Sequence, residues 1–567
     1  MDKPLSACDG PGMFIKSSSE GIRQKSSSSC NPVQLWFCSA WRFRPVLLAA
    51  VMALLAGCSS PTDKQPAASV FRYSNIDEPR RLDPAFVKDY YEGVVAGWVY
   101  EGLTRFGKGT DVEPALAGKW EVSDDGRTYV FHLREAKFST GAPVRAADVR
   151  YSFTRVLRPE TGSDRKWVLN RIEGADEVVS GTTKELRGLE TPDERTVRIT
   201  LKSPYPVFPT LLAMPNAAIV PEGSAGTTTM STPLDRAPVG SGPWVFDKWM
   251  QGQRLEFHRN DAHWGGAPKI ERLIYHVQVD DNVRRREFEI GNLDYYEVSF
   301  AVFPAWSHDA EKAKRMLPLQ ELRSDFLAFN NASPKFADRR VREAVAHGIN
   351  TRSIFENLQL GRGKLAHGPV PPGIAGYREN VKPREYDPER ARALLAESGA
   401  LGMEISLWYR DEALWSEIVK AAKSDLEKVG LKVSLVPRDL ASLRAGVWDG
   451  KPDMYLGSWT LDYPDMENAM VPPFHSRNIP RQGNGSRFRN EDVDKLLDAA
   501  QSEKDPAARI AKFQTAEDKI IAECPWVFLF HRRTDIMVSP RTKGFEPAAM
   551  YNANRFDDVE VRQTPAN

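Results

Sequence analysis

The sequence predicts a mixed α/β protein, and three observations carry that prediction. Short apolar, β-branched runs bounded by Asp-Gly and Pro-Asp turns recur in the first half and read as strands. Apolar residues at helical spacing follow aspartates placed to cap them in the second half. Around residues 404–435, strand, helix and strand succeed one another over the length of a βαβ unit, which implies parallel pairing. The chain has 567 residues, of which 41% are hydrophobic and 27% charged. That balance suits a folded chain and excludes a disordered one, and the length allows two to four domains at roughly 100–200 residues each.

In chain order, Val70 to Ser74 reads as a short strand that Leu82-Asp83-Pro84 interrupts. Tyr129 to Leu133 and Arg195 to Leu201 are strands, and Asp148 is placed to cap a helix with Val149, Phe153, Val156 and Leu157 on one face. Residues 222–238, rich in Gly, Ser, Thr and Pro, read as a loop at a domain crossing. Asp338 is a natural N-cap for a helix carrying Val341, Ala344, Val345 and Ile349. Asp387-Pro388 opens another, with Ala391, Leu394 and Leu395 inward and Gly399 as the stop. The βαβ unit follows: Glu404 to Trp408, a helix from about Leu414 to Val429 ended by Gly430, and Leu431 to Leu435. Met454 to Trp459 is a strand that runs into the loop Thr460 to Asp465. Ile510, Phe513, Ile520 and Ile521 mark a late helix, and Trp526 to Phe530 a last buried strand.

Charge and hydropathy exclude several functions. Lys plus Arg number 77 against 76 Asp plus Glu, a net charge of +1, whereas a nucleic-acid binder needs a basic excess to neutralise phosphates. No uncharged apolar run of about 18–20 residues occurs, which excludes a polytopic membrane protein.

The N-terminal region predicts export. Arg42 and Arg44 precede the uncharged run Val46 to Leu55, which leads into Leu55-Ala56-Gly57-Cys58. A basic segment, a short apolar core and small residues make a secretory signal. Its ending resembles the bacterial lipobox, which predicts a signal over 1–57, lipidation of Cys58 as the new N-terminus, and a polar tether over 58–68. Residues 1–40, with two serine runs and three Cys, are set aside as presequence. Only Cys524 then remains as a free thiol, so the mature chain has no disulfide and no CxxC or Cys/His cluster for zinc.

Enzyme signatures are absent from the sequence: no GxSxG, HExxH, phosphate loop or GxGxxG after a strand. Ser163 to Lys166 fits SxxK without a KTG partner, the nine His are scattered, and the pairs Asp280-Asp281 and Asp557-Asp558 read as solvated loop charges. The sequence thus predicts no catalytic residue, metal site or cofactor. What recurs is aromatic residues beside carboxylates in loops, in Asp89-Tyr90-Tyr91 and around Asp462 between Trp459 and Tyr463. Asp462 lies just past a strand end, where α/β sheets bind ligands, and a carboxylate between an indole and a phenol suits an ammonium group. The same residues also fit a second reading, with the aspartate capping a helix that starts near Asp465 and Trp459 in the core.

Motifs spread from Val70 to Asp557 resolve the family. These are Leu82-Asp83-Pro84, Glu113 to Ala117 with Trp120 to Gly126, and Phe138-Ser139 with Gly141 to Val144 and Ala147 to Val149. Gly240 to Trp244, Arg259-Asn260 with Trp264, Phe329-Asn330 with Asp338 to Arg342, and Trp459 to Tyr463 follow in order. In them the chain resembles the extracytoplasmic solute-binding proteins of family 5, the oligopeptide- and dipeptide-binding proteins of ABC importers. The resemblance implies a two-lobed periplasmic-binding-protein (Venus-flytrap) fold with two crossover strands and an extra domain on the first lobe. Domain I would comprise 69–103, 236–320 and 528–567, domain II 104–235, and domain III 321–527.

It further implies that Asp462 binds a peptide α-ammonium, that Trp459, Thr460 and Leu461 with Tyr463 line the cleft, and that Lys88 to Tyr90 face them from the other lobe. Ser241 and Trp244 depart from the common Thr and Tyr or Phe of the family pattern, and no matched residue holds the ligand's carboxylate. The implied function is capture of an oligopeptide or dipeptide for an ABC permease, by a monomer in the periplasm or cell envelope that touches the membrane through its lipid alone. The alternatives are a non-peptide solute such as a metal chelate, haem or sugar, and a lipid-anchored hydrolase.

Overall fold

The computed structural model describes residues 69–225 and 232–562, and the expected signal, Cys58 and the whole tether lie outside them. The first lobe holds two four-stranded sheets. In one, Val70–Asn75 pairs parallel with Arg272–Val277, and Arg254–Arg259 and Trp244–Met250 extend the sheet antiparallel. Phe71, Tyr73, Trp98, Phe257 and Tyr275 fill its core, and the Trp98 indole donates to the Asn554 carbonyl at 2.8 Å. The other sheet is antiparallel throughout, in the spatial order Ala117–Val122, Thr128–Leu133, Thr196–Thr200, Leu189–Asp193. Tyr129, Phe131 and Leu133 alternate inward along one strand, as a half-buried sheet requires.

Helix Ala146–Leu157 covers that sheet with Val149, Phe153, Val156 and Leu157 buried. Its N-cap is Arg145 rather than Asp148. Asp148 sits three residues into the helix and accepts from the Arg145 amide at 2.8 Å, so the carboxylate reaches back from the first turn. The first strand ends at Asn75, well before Leu82-Asp83-Pro84, where buried Asp83 caps the turn Pro84–Phe86 and pairs with buried Arg155.

The second lobe is built on a seven-stranded sheet. Its strands are β1 (Tyr295–Glu297), β2 (Leu317–Phe329), β3 (Gly363–Leu365), β4 (Glu404–Arg410), β5 (Lys432–Arg438), β6 (Met454–Thr460) and β7 (Trp526–Val538). The order is β1-β7-β2-β6-β4-β5, with β3 also on β7. The predicted βαβ unit is β4, α1 (Ala413–Lys428) and β5, with β4 and β5 parallel over seven residue pairs. Two further helices matter to the site, α2 (Leu440–Trp448) and α3 (Met466–Phe474).

Strands β2 and β7, 13 residues each and antiparallel, join the lobes. Leu327, Phe329, Val527 and Leu529 at one end lie in the second-lobe core, while Leu317, Leu319, Ile536 and Val538 at the other pack on the first-lobe core. The last strand therefore runs eight residues beyond the predicted Phe530, because its far half continues into another core. The expected domain boundaries at 320/321 and 527/528 fall inside these two strands. Asp280 also differs from its reading as a loop charge: it caps helix Asp281–Glu289, accepting from the Asn282 and Val283 amides.

Candidate functional site

Strands β4 and β6 are neighbours and parallel, so their carboxyl ends open on the same edge of the sheet. β4 ends in Arg410, and after β6 the chain turns through Leu461-Asp462-Tyr463 into α3. Their ladder covers only Leu407 with Met454 and Trp408 with Tyr455; beyond Tyr455 the strands part. A cavity of about 1240 Å³ lies between this edge and residues 164–211 of the first lobe.

The loop after β6 is held by α3. Asp465 caps that helix, accepting from the Glu467 amide at 2.8 Å, so the capping role falls to Asp465 and not to Asp462. Asn468, one turn on, accepts from the Asp462 amide at 2.9 Å, and its carbonyl takes the Trp459 indole proton at 2.7 Å. The loop backbone is thereby fixed, and the Asp462 carboxylate is left to face the cavity. Its side chain is 37% exposed, and its one ion-pair partner among the described residues is Arg165 at 3.8 Å. Desolvation pushes its pKa up, while Arg165 and Asn468 pull it down.

Trp459 and Tyr463 stand beside Asp462 in the cavity wall, with the Tyr463 ring against Trp167 of the first lobe. Thr460 and Leu461 do not line it. Thr460 is the exposed end of β6, opposite Arg323, whereas Leu461 is 2% exposed in the core and donates its amide to the Leu322 carbonyl. Lys88 reaches the site at second hand. Its carbonyl and that of Val87 accept from Arg165, and its ammonium pairs with Asp164 at 2.7 Å. Tyr90, the first residue of helix Tyr90–Val99, lies outside the cavity wall and donates to Glu297 at 3.2 Å.

The wall also contains residues that sequence reasoning missed. Arg171 and Lys202 come from the first lobe, Arg323 and Arg532 from β2 and β7, and Arg410, Arg444, Arg477 and Arg481 from the second lobe. Only Arg410 could have been found from sequence, as a charged residue two positions past the predicted end, Trp408, of a parallel strand. Buried Tyr205 of the first lobe donates to Glu467 of α3 at 2.8 Å, and Gln501 donates to the same carboxylate. Ser163, of the SxxK pattern, donates to the Ala85 carbonyl and accepts from the Arg165 amide. Among the described residues, no group of three or more His, Cys, Asp or Glu is gathered to hold a metal ion, and no helix is long and apolar enough to cross a membrane. Cys524 is buried, which pushes its thiol up to about 11.

The arrangement can bind a ligand carrying both charges, with one carboxylate at a strand end and guanidinium groups around the rest of the wall. Comparison with known proteins agrees with the architecture. The family model of bacterial extracellular solute-binding proteins, family 5 middle, matches residues 111–481. Heme-binding protein A of Haemophilus influenzae is 30% identical, the match covering 88% of this chain and 95% of that protein. The probable D,D-dipeptide-binding periplasmic protein DdpA of Escherichia coli is 28% identical over 89% and 96%. The solved structure of HbpA2 from Haemophilus parasuis superposes with a TM-score of 0.73 at 26% identity, covering 87% of this chain and all of that one. With two lobes joined by two long strands and a match over most of its length, the chain belongs to family 5 of the bacterial extracellular solute-binding proteins.

Proposed function

We propose that this protein captures short peptides in the inter-lobe cavity for delivery to an ABC permease and performs no catalysis. The observation that carries the reading is the Asp462 carboxylate at the end of β6, beside a stretch of that strand with no ladder partner on the β4 side. An extended peptide could add along Gly457 to Trp459 by main-chain hydrogen bonds, which ignore side-chain identity. Its α-ammonium would take the place of Arg165 on Asp462, and its carboxylate would meet guanidinium groups further along the wall. At about 1240 Å³ the cavity exceeds the usual 300–1,000 Å³ or so of small-molecule pockets, which suits a ligand of several residues.

Closure of the lobes would bury the peptide and present the closed form to the permease. The relatives named for haem and for a D,D-dipeptide differ in ligand, so the peptide assignment rests on the site and not on the family. Calorimetry with free and N-acetylated tripeptides tests it. Acetylation should abolish most of the affinity, and equal affinity would remove the ammonium from the reading. Mass spectrometry of the copurifying ligand identifies the natural solute directly.

In the same reading Cys58 carries the lipid that holds the protein at the membrane, since a signal run ends directly in Leu-Ala-Gly-Cys. Cys58→Ser should stay unprocessed and take no lipid label in cells fed a labelled fatty acid; normal labelling would exclude that anchor.

A further inference from the structure

The charge on the cavity wall goes further than binding a peptide by its ends. Among the described residues, nine basic side chains line the cavity against four acidic ones. Six of the nine have carboxylate partners: Arg165 with Asp462, Lys202 with Asp176, Arg410 with Glu412, Arg477 with Asp498, and Arg323 and Arg532 sharing Asp325. The other three have none among the described residues. The side chain of Arg171 meets only the Tyr205 ring, at 4.6 Å, and that of Arg481 only the Trp448 ring, at 5.4 Å. Arg444, on α2, has no hydrogen-bond acceptor or ring at all. On the acidic side, Asp164 is held by Lys88, while Glu467 shares Arg509 with Asp465, a deficit that offsets the doubly used Asp325.

These three guanidinium groups reach the cavity from three separate segments, around residues 171, 444 and 481, so no single exposed helix face explains them. Charged groups open to solvent are hydrated. A neutral ligand that filled the space would strip that water and leave charges without partners, which is costly in a desolvated site. A ligand that brings anionic groups of its own would pair them, and the excess would also steer it inward.

We infer that the cavity selects acidic peptides: one α-ammonium for Asp462, and side-chain carboxylates in addition to the terminal one for Arg171, Arg444 and Arg481. This inference rests on the peptide reading above. The test is calorimetry on the wild-type protein with Ala-Ala-Ala, Ala-Glu-Glu and Ala-Lys-Lys. Ala-Glu-Glu should bind at least about tenfold tighter than Ala-Ala-Ala in dilute buffer, and Ala-Lys-Lys most weakly. The preference should shrink as salt rises from about 50 to about 300 mM, because partly exposed charges are screened. In Arg171→Gln/Arg444→Gln the ratio between Ala-Glu-Glu and Ala-Ala-Ala should fall toward one; circular dichroism and the retained response to N-acetylation show that fold and ammonium site persist. Equal affinities for the neutral and acidic peptides, or tighter binding of Ala-Lys-Lys, would overturn the inference and leave the peptide reading standing. If no peptide binds, the peptide reading falls first and this inference with it.

Discussion

At the scale of single residues, the carboxylate of Asp462 offers the sharpest handle on the site. Its backbone is pinned by Asn468 and its helix is capped by Asp465, so Asp462→Asn should leave the fold intact. Removing one member of a buried ligand ion pair costs about 3–5 kcal/mol, so peptide affinity should fall by roughly 10²- to 10³-fold or more in calorimetry. A second residue-level prediction concerns His531. It is fully buried on β7, its Nδ1 lies 2.9 Å from the Ser324 hydroxyl, and its Nε2 has no hydrogen-bond partner among the described residues. Burial holds its pKa down to about 3, against about 6.5 for an unfolded imidazole. The folded state thus favours the neutral ring, and the stability this contributes is present above pH about 6.5 and is lost as pH falls toward about 3. His367, held down to about 4, acts in the same direction. The urea midpoint should therefore fall between pH 7 and 4 by the equivalent of a few kcal/mol. His531→Gln, which stays neutral, should flatten that slope, and an unchanged slope would refute the assignment.

At the scale of elements, helix Tyr90–Val99 docks backbone to backbone. A Cβ on Gly97 would lie 2.3 Å from the Asn552 carbonyl oxygen, and main chain cannot retreat as a side-chain tip can. Gly97→Ala, which would stabilise an exposed helix, should here lower stability by about 1–3 kcal/mol in denaturant titration. The elements best read from sequence were those with strong local signals. Asp338 and Asp387 cap their helices, and the elements of the βαβ unit were found within one to three residues of their ends. The misread caps share a cause. Asp148 and Asp280 are aspartates near helix starts, and the choice between N-cap, first-turn acid and free loop charge depends on where the preceding backbone leaves the helical region, which residue type alone does not show.

At the scale of the whole molecule, the two lobes meet through apolar packing, such as Tyr463 against Trp167, and through polar contacts as well. Tyr205 donates to Glu467, Lys504 to the Asp124 carbonyl at 2.9 Å, and Thr110 to the Gly373 carbonyl at 3.1 Å. A hydrogen bond to a buried carboxylate contributes about 1.5–3 kcal/mol, enough to shift a balanced open–closed equilibrium by more than tenfold. Tyr205→Phe removes the bond while keeping the ring. It should enlarge the radius of gyration of the free protein in small-angle scattering and weaken peptide binding, and saturating peptide should restore the compact form. A radius that does not respond to the substitution would show that this bond does not hold the lobes together.

The sequence by itself determined the α/β class, the family, several helices of the second lobe and the candidate carboxylate, because each rests on periodicity, capping or a contiguous motif. Tertiary structure decided the rest. It sent Leu461 into the core while its neighbour Asp462 faces the cavity, since the turn after β6 alternates the two between interior and cleft. It carried β7 through to Val538, because one strand serves the cores of both lobes. It also gathered Arg171, Arg444 and Arg481 on one wall although hundreds of residues separate the first from the others. Overall charge is nearly balanced, and only folding concentrates the positive part where a ligand would sit, because sequence spacing says nothing about which distant loops a sheet edge and an opposing lobe bring together.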